Sequence, residues 1–105
     1  MIKKKQEFLK KIILTSFFAF TAPIYLHNIT RDIYSGDLGD LVTAASVFGV
    51  AHPPGYPLLT LSGFIFSLLP LPIPPVSKVA LVSVISSLIA LLCFYKFCLK
   101  ETKNF

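Results

Sequence analysis

Charged residues are scarce in this chain of 105 residues: they make up 14% of it, whereas hydrophobic residues make up 54%. The mean hydropathy is +0.74, which lies on the apolar side of ordinary soluble composition. A soluble domain of this size could not hide so much apolar surface in a single core. The composition therefore excludes an ordinary soluble domain and favours a chain that lies in a lipid bilayer.

Cysteine is also scarce, and the familiar motifs of catalysis and metal binding are absent. The two cysteines, Cys93 and Cys98, do not have the spacing of a metal-ligand set, and we expect no disulfide between them. The sequence contains no HExxH pair, no phosphate-binding loop, no dinucleotide fingerprint and no GxSxG turn. A protein-only metal site, a nucleotide site and a serine hydrolase site therefore have no support.

The few charges are unevenly distributed along the chain. Lysines gather at both chain ends, whereas the segment 27–77 holds one arginine and three aspartates. Because positively charged segments stay on the cytoplasmic side of a membrane, two spans would place both ends in the cytoplasm and this segment outside. No basic helix face alternates with aromatic residues, so the expected partner is the lipid bilayer and not nucleic acid.

Two apolar runs predict two membrane-spanning helices, and hence an all-α membrane protein of a single membrane region, 1–105. A cleaved signal peptide is the alternative for the first run, but the bulky Phe20 and the following Pro23 do not suit cleavage after Ala22. The predicted order is a cytoplasmic basic start at 1–11, a first span at 12–26, an external loop at 27–77, a second span at 78–97 and a cytoplasmic tail at 98–105.

The external loop contains two shorter predicted helices, at about 37–48 and 57–69. Asp37 suits the N-cap of the first, Gly49 suits its C-terminal turn, and Pro57 suits the first position of the second. With about 12 apolar residues the second helix is too short to span a bilayer. We therefore expect it to be juxtamembrane or re-entrant, covered by other protein or by the interface.

The same loop carries the candidate catalytic and binding residues. Asp37 and Asp40 suit a helix cap and its dipole, but a carboxylate so close to a bilayer also suits a general base or a metal ligand. His52 suits anion binding or proton transfer as well as a plain turn. Tyr56 suits either a pocket wall or the interfacial aromatic belt. The residue types alone leave these alternatives open.

Two stretches of this loop form a recognisable pattern. They are Asp37-Leu38-Gly39-Asp40-Leu41 and Ala51-His52-Pro53-Pro54-Gly55-Tyr56-Pro57-Leu58. Together they resemble the N-terminal signature of a polytopic membrane-protein family of unknown function, related to protein O-mannosyltransferases of the GT-C glycosyltransferase superfamily. The resemblance implies the N-terminal part of a GT-C fold, in which two membrane helices flank an external loop with juxtamembrane helices.

The resemblance also implies a reaction, the transfer of a sugar from a polyprenyl-phosphate donor to a protein or glycan acceptor. By motif, Asp37 matches the first acid of the family, and we expect it to be catalytic as a base or metal contact. Asp40, the second expected catalytic residue, stands where glutamate is usual. His52 and Tyr56 match loop residues that would bind the donor phosphate or the acceptor. A divalent metal is the one cofactor that the resemblance allows, and no metal ligands are assigned.

Relatives in this family continue through many more helices. We therefore expect this chain to be an N-terminal fragment, inactive alone, or one piece of a split protein whose remaining helices are its partners. The expected location is the bacterial inner membrane. The alternative is a small, non-catalytic two-span membrane protein that packs on partner helices through small side chains, namely Thr60, Gly63, Ser67, Ser83, Ser87 and Ala90.

Overall fold

The computed structural model describes residues 1–102. Within that range the chain is helical and has no strand, which confirms the predicted all-α fold class. Residues 103–105, which include Lys103 and end the predicted tail, lie outside the described residues. The helices are α1 (Ile2–His27), α2 (Leu38–Val47), α3 (Pro57–Ser67) and α4 (Pro75–Thr102).

Two of these helices, α1 and α4, are long and apolar enough to cross a membrane. They have 26 and 28 residues, so at about 1.5 Å per residue each is longer than a hydrocarbon core of about 30 Å. Both helices continue beyond the predicted spans 12–26 and 78–97, and Pro23 lies within α1 without ending it. Helix α1 has no buried residue, as suits contact with lipid. The chain is an all-α membrane protein.

The two long helices pair in antiparallel orientation, and α4 is linked at one level to α1 and at another to the segment that follows α1. Near one end the Tyr95 hydroxyl lies 3.3 Å from the backbone oxygen of Lys10, to which it donates. Near the other end the Ser77 hydroxyl donates to the backbone oxygen of Thr30 at 2.6 Å, and Ser77 is almost fully buried. The lysine-rich start and the lysine-rich end of the described chain therefore lie on the same side of the hairpin.

The buried core lies at the end of the hairpin away from the lysine-rich chain ends, where α2, α3 and the start of α4 meet. Its buried members are Val42 and Ala45 of α2 and Val76 and Val79 of α4. Helix α3 reaches them at Gly63, because a Cβ atom there would lie 2.8 Å from the Ala45 Cβ and 3.2 Å from the Val79 Cγ1. Close approach at this glycine lets α2 and α4 cover one face of the short helix within the chain itself.

The residues predicted for the two ends of α2 are in place, but part of their chemistry differs: Gly49 does lie in the C-terminal turn, where its N–H donates to the Ala44 oxygen at 2.8 Å. Phe48, and not Gly49, adopts the left-handed conformation that ends the helix, with φ of 53°. The Phe48 ring packs on Phe64 of α3 at a centroid distance of 4.9 Å, so the residue that ends α2 also contacts α3. Asp37 occupies the N-cap position but makes no side-chain cap hydrogen bond, so its carboxylate is not engaged by the helix that it precedes.

Candidate functional site

The proline turn between α2 and α3 folds back over the first turn of α2. The backbone N–H of Gly55 donates to the His52 oxygen at 2.7 Å, which closes the turn. Gly55 and Tyr56 both have positive φ, 87° and 45°, and together they reverse the chain into α3. Glycine adopts such angles freely, and Tyr56 is held there at the N-cap position of α3. The Pro53–Pro54 peptide bond is cis.

Asp40 ties this turn to α2. Its Oδ2 atom accepts the backbone N–H of His52 at 2.8 Å and contacts His52 Nδ1 at 2.6 Å. Two hydrogen bonds to a single residue fix both the path of the backbone and the rotation of the imidazole ring. A carboxylate acceptor makes both of these hydrogen bonds charge-assisted, which strengthens them.

The other ring nitrogen of His52 faces Asp37. Nε2 lies 3.6 Å from Asp37 Oδ2, within range of a charge interaction but beyond a hydrogen bond. Tyr56 approaches the same imidazole in an edge-to-face arrangement, with ring centroids 5.5 Å apart. The structure therefore brings together the four residues that the sequence singled out, Asp37, Asp40, His52 and Tyr56. Their roles remain predictions.

The electrostatics of the cluster favour the ionised forms of Asp40 and His52, a carboxylate beside an imidazolium. The backbone hydrogen bond from His52, followed by the bond to its ring, lowers the pKa of Asp40 below its ordinary value of 3.8. The hydrogen bond to Asp40 raises the pKa of His52 above its ordinary value of 6.5, and the charge of Asp37 adds to this shift. Desolvation opposes both shifts and is outweighed. At mildly acidic pH an imidazolium at His52 thus lies against the carboxylate of Asp40.

The cluster does not form a metal centre by itself. Among residues 1–102, no group of three His, Cys, Asp or Glu side chains is placed to hold a metal ion. Asp40 Oδ2 and His52 Nδ1 are already bound to each other, and the free thiols Cys93 and Cys98 lie on α4. The residues present do not fit a divalent metal, and we derive no step through one.

An apolar groove borders the same turn. Its volume is about 480 Å³, and it lies between the end of α2, the proline turn and the first turns of α3. The sequence shows apolar residues on both sides of the turn, but that pattern does not reveal that they face a common groove, so it was not predicted. The lining residues are Phe48, Gly49, Val50, Pro54, Gly55, Pro57, Thr60 and Leu61.

Comparison with known proteins places the sequence of this chain in a family. Residues 37–105 match the family model described as the protein O-mannosyl-transferase TMEM260 N-terminal domain. The chain belongs to this family. The predicted relation to O-mannosyltransferases is thereby confirmed, and the matched region contains the whole of the cluster around His52, the helices α2 and α3 and the second membrane helix.

Two curated relatives carry the same similarity. The chain is 52% identical over 44 residues to protein O-mannosyl-transferase TMEM260 of mouse, a match that covers 42% of this chain and 6% of the relative. It is 46% identical over 50 residues to the protein of that name from Dictyostelium discoideum, covering 46% of this chain and 6% of the relative. The chain thus matches a small part of each relative. No solved structure matches it.

Proposed function

We propose that this chain is the N-terminal part of a GT-C-type membrane glycosyltransferase, which transfers a sugar from a polyprenyl-phosphate donor to a protein or glycan hydroxyl. Both relatives are named protein O-mannosyl-transferases, so mannose and a protein hydroxyl are the first sugar and acceptor to test. The observation that carries the proposal is the meeting of Asp37, Asp40, His52 and Tyr56 within the family-matched segment, beside two membrane helices.

Asp37 is the proposed general base. Its side chain is 70% exposed, so an acceptor hydroxyl can reach it, whereas Asp40 is held by the proline turn. Asp37 would take the hydroxyl proton as the acceptor oxygen attacks the anomeric carbon of the sugar. The bond from that carbon to the phosphate oxygen then breaks, and its electron pair leaves on the polyprenyl phosphate. His52 and Tyr56 would contact the donor phosphate or the acceptor.

The apolar groove supports a lipid-linked donor. Its lining includes Phe48, Val50 and Leu61, together with Pro54 and Gly55 of the turn that also carries His52 and Tyr56. An isoprenoid chain in the groove would hold its phosphate beside that turn. Burial of the chain against these side chains would supply binding free energy of about 25 cal/mol per Å² of apolar surface.

The arrangement of the lysines supports the proposed topology. Both lysine-rich ends lie on one side of the α1–α4 hairpin, and the loop with the site joins the two long helices at the other side. We therefore place both termini in the cytoplasm and the loop 27–77 outside it. Both curated relatives are eukaryotic, so the expected bacterial inner membrane has no support from them.

We expect this chain to be inactive by itself. Asp37 is open to water, and sugar transfer requires a site that excludes water, because water competes with the acceptor and screens the charges. Further helices, in the same polypeptide or in a partner, would close the site. Such helices are also the expected partners of the exposed apolar face of α3, which includes Leu58 and Ile65.

The alternative of a non-catalytic docking protein draws less support from the packing. It relies on small-residue faces, but Thr60 and Gly63 are buried within the chain. Ser83 and Ser87 line a crevice shared with Tyr25 at the end of α1. The small residues of α3 thus already serve contacts within this chain, whereas Ser83 and Ser87 of α4 are exposed. We give precedence to the enzyme because of the cluster around His52.

A graft tests the proposed function. Residues 37–58 of this chain replace the matched segment of the mouse relative, and the transfer of mannose from a polyprenyl-phosphate donor is measured in membranes. The proposal expects the grafted enzyme to transfer mannose at a rate close to that of the unaltered relative. A second graft, of residues 75–95 from α4, controls for the exchange of segments. An inactive 37–58 graft beside an active α4 graft, at equal expression, would overturn the proposal.

A further inference from the structure

We propose that Asp40 is a positioning residue, which orients the imidazole of His52 toward Asp37 and does not itself touch the substrate. This inference rests on the proposed function and deepens it, because it separates the two acids of the site by role. The motif match predicts that both Asp37 and Asp40 are catalytic. The structure distinguishes them, because the carboxylate of Asp40 is already hydrogen-bonded to His52 and that of Asp37 is not.

The contacts of Asp40 are directed at one partner. Its Oδ2 holds both the backbone N–H and the ring Nδ1 of His52. A carboxylate can only accept, so in the neutral ring Nδ1 must carry the proton that it donates. The remaining nitrogen, Nε2, then has its lone pair free. Asp40 thereby selects one of the two tautomers of His52, as the partner of a catalytic histidine does in general.

The groups that face His52 define where that lone pair points. They are Asp40 and Asp37 of the first turn of α2 and the ring of Tyr56 from the same proline turn. Nε2 lies 3.6 Å from Asp37 Oδ2, so after Asp37 has taken up a proton a small rotation of its side chain lets it donate to that lone pair. Asp37, at 70% exposure against 49% for Asp40, is the acid on the open side.

This order of contacts provides a route for the reaction proton. As the acceptor oxygen bonds to the anomeric carbon, its proton moves to Asp37, and the polyprenyl phosphate departs with the electron pair of the broken bond. At a pH above the raised pKa of His52, where the ring is neutral, Asp37 then passes the proton to the Nε2 lone pair of His52 and is again a carboxylate. The imidazolium formed is stabilised by the Asp40 carboxylate, which accepts from Nδ1 on the opposite side of the ring.

The tautomer of His52 tests this role without any transfer assay. The chain is labelled with 15N-histidine and studied by NMR in detergent micelles, at a pH where the His52 ring is neutral; a His27→Gln variant identifies the other histidine signal. We expect the unaltered chain to carry the proton on Nδ1, Asp40→Ala to lose this preference, and Asp40→Glu to retain it. A proton on Nε2 in the unaltered chain, or an unchanged tautomer in Asp40→Ala, would overturn the inference.

A double-mutant cycle in the grafted enzyme tests whether Asp40 acts through His52. Removing either side chain should slow transfer on the order of 100-fold, the scale of general acid–base catalysis. If Asp40 acts through His52, the double variant Asp40→Ala/His52→Ala is no slower than His52→Ala alone. Independent, multiplying losses would show that Asp40 acts directly. A graft without activity would count against the proposed function alone, since the tautomer still decides the role of Asp40.

Discussion

Gly63 is the position where one added methyl group tests the packing of α2, α3 and α4. A Cβ atom there would lie 2.8 Å from the Ala45 Cβ and 3.2 Å from the Val79 Cγ1. Ala45 is fully buried, and its single methyl group cannot rotate away, so α3 must move away from α2. Overpacking of this kind costs about 1–3 kcal/mol. The higher helix propensity of alanine returns about 1 kcal/mol, which leaves a net loss of about 0–2 kcal/mol for Gly63→Ala.

Gly39→Ala is the matched control, because it carries the same change of residue type in α2. A Cβ at Gly39 would meet only the Ile33 Cγ2 atom, at 3.4 Å, which is close to ordinary contact. The propensity gain is shared by the two variants, so their difference isolates the packing. We expect Gly63→Ala to be less stable than Gly39→Ala by about 1–3 kcal/mol.

The assay is unfolding of the chain in detergent micelles by added SDS, followed by circular dichroism. Gly63→Ala should unfold at a lower fraction of SDS than Gly39→Ala. In an Ala45→Gly background, which removes the opposing methyl group, most of the penalty at Gly63 should disappear. Equal stability of Gly63→Ala and Gly39→Ala, or a penalty that persists without the Ala45 methyl, would refute this account of the packing.

Two further predictions concern the links that hold the site in place. Ser77→Ala removes a buried hydrogen bond to Thr30 and should lower the free energy of unfolding by about 1–2 kcal/mol. Thr43→Ala removes an exposed hydroxyl contact within α2 and should leave the free energy of unfolding unchanged. Equal effects of the two substitutions would contradict the structure. The link between Asp40 and His52 should vary with pH. Because the pKa of His52 is raised from 6.5, the stabilisation of this link by the imidazolium is complete below pH 6.5. It is lost as pH rises through the raised pKa. Because the pKa of Asp40 is lowered from 3.8, the stabilisation of the link by the Asp40 carboxylate is complete above pH 3.8. It is lost as pH falls through the lowered pKa. Hydrogen exchange at the His52 amide, corrected for the intrinsic pH dependence, should therefore show most protection between about 3.8 and 6.5, and Asp40→Asn should flatten this profile; an unchanged profile in that variant would refute the link.

The long helices and the proline turn could be predicted from the sequence, because membrane spanning and proline conformation constrain consecutive residues. A bilayer imposes length and hydropathy on consecutive residues, and Pro57 does stand at the start of α3. The contacts between distant segments were not readable. The pairing of Asp40 with His52 depends on how the proline turn folds back, and the contact of Phe48 with Phe64 depends on how α3 packs against the end of α2. A stripe of small residues likewise does not say which helix it meets, and at Gly63 the partners are helices of the same chain.

The role of Asp37 is tested most directly by the rate of mannose transfer in the grafted enzyme that carries Asp37→Asn. This change keeps the shape of the side chain and removes the base. Transfer should fall by about 10²- to 10⁴-fold, with expression and membrane insertion unchanged, while Thr43→Ala on the same helix retains the full rate. An Asp37→Asn graft that transfers mannose as fast as the unaltered graft would contradict the assignment of the base and, with it, the proposed site.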